Sequence, residues 1–152
     1  MSRVLVLGIG SPSGDDQAGW LTVDALLAAG LEEIEVEKLD RPGAGLIPLL
    51  ENASWVILVD AMQGGGPAGG IQCFDQKDWP SYGHGLSSHG FGVLAALTLA
   101  RELGSLPPRL DLYGIEIGSA NPGEQAGIEI QAAARQLARR IAADLTLALR
   151  QA

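Results

Sequence analysis

Four side chains have the types and placement to do chemistry together. Asp16 follows the run Gly8-Ile9-Gly10-Ser11-Pro12-Ser13-Gly14-Asp15, and Asp40 closes an alternating stretch. Asp60 directly follows the apolar run Trp55–Val59, and His89 follows Ser87-Ser88. Carboxylate and imidazole are hard-to-borderline ligands that suit a divalent metal. The same groups serve as general acids and bases. Each also has a plainer reading. Asp15 and Asp16 precede a helix, where acids cap amides and complement the dipole. Asp60 could be a turn or cap residue, and His89 a first-turn helix residue bonded to a backbone carbonyl. His84, between two glycines, reads as a solvated loop residue, and Cys73 as packing in a weak strand.

Two other chemistries fit poorly. G-x-G after a first strand opens a dinucleotide fingerprint, but Ser13 stands where the third glycine belongs. Two aspartates then occupy the helix entrance, where a pyrophosphate needs amides and positive potential. A Ser-His-Asp triad lacks the G-x-S-x-G elbow, and Ser88 directly precedes His89. A Cys73–His89–Asp60 triad has no local signature.

The elements that must hold these residues follow from periodicity. Short apolar runs at Arg3–Gly8 and Trp55–Val59 predict strands buried on both faces, as in a parallel sheet. Ile34–Leu39 alternates and predicts a half-exposed strand near a sheet edge. Ile71–Phe74 and Leu110–Glu116 complete five strands. Helical spacing runs from Trp20 to a stop at Gly30, over Leu46–Leu50, from Ser87 or Ser88 to about Leu103, and from Ile130 to Leu149. The alternation predicts one domain over 1–152: a three-layer α/β/α sandwich around a mostly parallel five-stranded sheet. Sites in such sheets form beyond the carboxyl ends of the strands. The Gly64–Gly70 patch is a candidate mobile flap or a plain hairpin connection, and Trp79 a partner contact or a core aromatic.

Bulk composition narrows the partners. The 152 residues carry 18 acids and 10 bases, a net charge of −8. That balance argues against nucleic acid and against an anionic membrane surface. The longest apolar stretch, Phe91–Ala100, is far short of the roughly 20 residues that span a bilayer. The N-terminus reaches a glycine too soon for a secretory h-region. One cysteine allows neither an intrachain disulfide nor a Cys-rich zinc site. The expectation is a soluble, cytoplasmic protein.

Four segments taken in order are more specific than any one of them. VLVLGIGSPSGDDQAGW, VILVDAM, SSHGFGVLAALTLA and LYGIEIG together resemble the maturation endopeptidases of nickel–iron hydrogenases, over nearly the whole chain. The resemblance implies that Asp16, Asp60 and His89 bind a metal. It implies that the metal is nickel already seated in the hydrogenase large-subunit precursor, delivered by the substrate. The enzyme would sense it and remove a short C-terminal extension, with no organic cofactor. The sequence departs from the family where many members carry Asp-Gly-Gly-Thr. Here Asp40 is followed by Arg41 and Pro42. Proline fixes its own φ and biases Arg41 toward extended geometry, which predicts a stiffer loop. That variation bears on substrate type and on whether Asp40 joins the catalytic set. Ile128-Glu129-Ile130 also lacks a proline that relatives often have before the last helix.

Peptide hydrolysis needs an activated water and a stabilised oxyanion. Metal polarisation, a carboxylate base, and glycine amides at Gly43–Gly45 or Gly64–Gly66 are all open routes. Two other functions share these residues: a self-contained metal-dependent peptidase or amidase, and a non-catalytic chaperone for metallocentre assembly.

Overall fold

A computed structural model describes residues 3–31, 33–79, 92–118, 123 and 125–151. Five strands form one sheet: β1 (Val4–Gly10), β2 (Glu35–Asp40), β3 (Trp55–Met62), β4 (Ile71–Phe74) and β5 (Arg109–Glu116), in the order β2-β1-β3-β5-β4. β1 pairs in parallel with β2 and β3, and β3 with β5. Only β4, reached by the short glycine-rich connection, runs antiparallel, against β5. A parallel partner would need a crossover of a dozen residues or so.

Alternation along the buried strands sorts the core into two faces. Val4, Val6, Ile57, Val59, Tyr113 and Ile115 point toward α1 (Ala18–Ala28) and α4 (Ile128–Gln151). Leu5, Leu7, Val56, Leu58 and Leu112 point toward α2 (Leu46–Leu50) and α3 (Val93–Glu102). Three layers result, as the element pattern predicts. Gly30, at φ 73°, follows α1 and supplies the left-handed residue that stops it. The start of α3 at Ser87 or Ser88 lies outside the described residues. α4 begins at Ile128 without a proline. Among the described residues no helix is long and apolar enough to cross a membrane.

Three local expectations change. β1 and β3 run on to Gly10 and Met62, because β2 and β5 are long enough to keep pairing: Gly10 with Asp40, Asp60 with Gly114, Met62 with Glu116. Asp60 therefore lies inside its strand rather than beyond it. Arg41 is not extended but left-handed, at φ 45°. Its N–H donates to the Gly10 carbonyl at 3.1 Å and its Nε to Asp40 Oδ1 at 2.7 Å. These two bonds outweigh the steric bias imposed by Pro42. Cys73 is exposed on the edge strand rather than packed, since among the described residues no strand pairs with the outer side of β4. Trp79 is a core residue of the α2/α3 face.

Candidate active site

The first loop is built on glycines chosen for close approach. A Cβ on Gly8 would overlap the Gly19 carbonyl, and one on Gly19 would overlap the carbonyls of Ile9 and Val59. The start of α1 therefore lies directly on β1 and β3. A Cβ on Gly10 would overlap the Asp16 carbonyl. The chain curls back there: Ser11 N–H donates to Asp16 O at 3.3 Å and Asp16 N–H to Ser13 O at 3.0 Å. The turn at Gly14–Gln17 packs against β1 and β3, which brings Asp16 to the carboxyl end of the sheet.

Asp60 faces the same region from β3. It is 4% exposed. Its Oδ1 accepts the Ala61 N–H at 2.8 Å, while Oδ2 is buried with no hydrogen-bond partner among the described residues. Burial pushes its carboxyl up to about 7, against the pull of the Ala61 N–H, and the nearby negative charge of Asp16 adds to the rise. Asp16 itself is half-buried and accepts from Ser11 Oγ at 3.2 Å. A carboxyl that changes charge near neutrality beside a second carboxylate suits proton transfer. The partnerless oxygen offers a ligand to an incoming cation.

The remaining candidates fall differently. Asp40 ends edge strand β2, half-exposed, with its carboxylate paired to Arg41. His89 and His84 lie outside the described residues. Among those described, no three histidine, cysteine or acidic side chains cluster to hold a metal. Asp15 is buried, and its Oδ1 accepts the Gly127 N–H at 2.7 Å, tying the first loop to the start of α4. An open cleft lined by Leu50–Ala53 and Gly104–Pro108 lies at the opposite, amino edge of the sheet. That edge is not where parallel sheets place their sites.

One acid at a strand end escapes the sequence reading. Glu116 closes β5, is 5% exposed, and receives three backbone N–H groups. Gly64 donates to its Oε1 at 2.8 Å, Gly66 to the same oxygen at 3.2 Å, and Gly118 to Oε2 at 3.0 Å. The strand-end rule that singles out Asp40 and Asp60 leads to Glu116 when applied to β5. The Gly64 and Gly66 amides are thereby withdrawn as oxyanion donors, and the Gly45 amide is engaged by Pro42 O at 3.0 Å.

The chain matches a family model described as hydrogenase maturation protease over residues 40–144. That match contains Asp60, His89 and Glu116 but begins after Asp16. Solved structures extend the likeness across the first loop. The hydrogenase maturating endopeptidase HybD from E. coli is 23% identical with a TM-score of 0.81, covering 96% of this chain and 93% of that one. A hydrogenase 2 maturation peptidase from a Thaumarchaeota archaeon is 26% identical with a TM-score of 0.69, covering 95% and 98%. HycI, a NiFe hydrogenase maturation protease from Thermococcus kodakarensis, is 23% identical with a TM-score of 0.73, covering 95% and 93%. A sequence comparison with curated proteins finds no match. With the family match spanning more than half of its length, on a fold shared with these endopeptidases, the chain belongs to the hydrogenase maturation protease family.

Proposed function

We propose that this peptidase removes the C-terminal extension of a nickel–iron hydrogenase large-subunit precursor after nickel insertion, and that it recognises the nickel through Asp16, Asp60 and His89. The observation that carries the reading is the Asp60 carboxyl: buried, with one oxygen partnerless among the described residues, and close enough to Asp16 to feel its charge. Such a group is costly to hold without a cation to receive. Nickel belongs to the substrate, so the protein needs open coordination rather than a closed cage. Two carboxylates and one imidazole leave positions for the precursor's own ligands.

Asp60 gives up its proton when the cation arrives and then balances the metal's charge. Asp16 lies at the crevice mouth and acts as the second oxygen ligand. Asp40 is held by Arg41, so its entry into the reaction requires that pair to open. The test is incubation with nickel-loaded and nickel-free precursor. Only the loaded form should be shortened. Cleavage of neither, or of both equally, overturns the reading. Binding without shortening points to an assembly chaperone, and nickel or zinc held tightly by the purified protein alone points to a self-contained peptidase.

A further inference from the structure

Glu116 stands on the same sheet face as Asp60. On β3 and β5 the α2/α3 face takes Val56, Leu58 and Met62 and, in register, Leu110 and Leu112. Asp60 and Glu116 fall on that parity. Gly114, opposite Asp60, has no side chain, and its place is filled by Met62, the register partner of Glu116, and by Phe74: a Cβ there would lie 2.7 Å from Met62 Sδ and 2.8 Å from Phe74 Cε2. The connection after β3 turns over this corner, next to the switch point between β1 and β3 where open sheets bind ligands.

We propose that Glu116 is a positioning residue: its carboxylate fixes the Gly64–Gly66 loop as the wall against which the substrate peptide lies beside Asp60. Both oxygens are used, and the three N–H donors come from the loops after β3 and β5. Its backbone closes the base of the same connection, with Gly69 N–H to Glu116 O and Glu116 N–H to Gly70 O, both at 2.7 Å. Gln63 Nε2 adds a 3.2 Å bond to Gly118 O. No cation pairs with this buried carboxylate among the described residues. A buried charge of that kind is a weak device for stability alone, and an apolar turn would hold the connection as well. What it does supply is one loop shape. Glycines at 64, 65 and 66 leave the wall bare, and a Cβ on Gly65 would meet nothing within 4 Å. A bare, fixed wall lets a peptide backbone come close to Asp60 in one register.

The inference rests on the peptidase reading above, so wild-type cleavage of nickel-loaded precursor is the first arm; its absence overturns that reading rather than this one. Glu116→Gln keeps an acceptor for Gly64 and Gly66 but sets an NH2 against the Gly118 N–H. It should raise KM for the loaded precursor about tenfold while kcat stays within about twofold, since loss of orientation acts on productive binding. Glu116→Asp keeps the charge, withdraws both oxygens from the glycines, and should do worse than Gln. Leu137→Ala, in the opposite core, is the control for destabilisation; KM should not move. Should neither Glu116 variant fold, Gly64→Ala crowds the same contact from the loop side, its Cβ 2.7 Å from Met62 Cε and 3.2 Å from Glu116 Oε1, and should give the same rise in KM. An unchanged KM in the folded variants overturns the proposal. So does a KM rise shared by Leu137→Ala, or a shifted kcat–pH profile in Glu116→Gln, which would make Glu116 an acid or base.

Discussion

Asp60 holds opposed demands in one side chain. Folded, it keeps its proton to about pH 7; in an unfolded chain a carboxyl of its kind loses it near 3.8. Between those values the folded protein binds more protons than the unfolded one. Stability of the metal-free protein therefore falls as pH rises through that window, and the loss is complete above it. Asp60→Asn removes the titrating group and keeps the shape. At pH 8 the variant should be more stable than wild type by a few kcal/mol, a gap that closes below about pH 4, as urea unfolding would read it. Precursor processing should fall by at least about 100-fold, because a neutral amide cannot balance the metal's charge. A variant that is active, or no more stable at pH 8, would remove Asp60 from the site. The acid's place after a buried run was legible in the sequence. Its burial inside the strand was not, because that depends on how far β5 extends beside β3.

At the scale of elements, the legible part is large, and its cause is periodicity. β4 and α2 keep the limits that their residues predict, and β2 is the exposed edge strand its alternation announces. The glycines, 21 of 152 residues, are where local reading falls short. Gly10 looks like a loop residue but lies in β1 together with Gly8, and Gly19 lies within α1. All three exist to let backbones touch, a demand set by packing of α1 on two strands far apart in sequence. Gly19→Ala tests this. Alanine normally favours a helix over glycine by about 1 kcal/mol. Here its Cβ would meet the Ile9 and Val59 carbonyls, which are backbone and cannot swing aside. The net change should be a loss of roughly 2 kcal/mol or more, read from the urea midpoint with an unchanged slope. A neutral or stabilising result would show that α1 is free to lift off the sheet, and with it the loop that carries Asp16.

For the whole molecule, the site is assembled by contacts between segments that no spacing rule connects. The bonds from Gly64 and Gly66 to Glu116 bridge about 50 residues, and the bond from Gly127 to Asp15 bridges 112. Acids are common in this chain, with 18 among 152 residues, so type alone does not show which of them receive buried amides. Asp15 and Asp16 look like a twin pair before a helix, yet one reaches α4 and the other the sheet mouth. Asp15 thereby sets where the first loop stands relative to the last helix. Asp15→Ala leaves the Gly127 amide without that carboxylate. A charge-assisted bond of this sort is worth about 1.5–3 kcal/mol, and removing one partner adds the desolvation of the other. Stability should drop by roughly 2 kcal/mol, and the Gly127 amide should exchange with solvent faster than its neighbours in α4. Asp15→Asn retains an acceptor oxygen and should recover about half of the loss. If the two variants are equally destabilised, charge matters more than the bond. If neither is, the first loop does not need α4 to hold Asp16 in place.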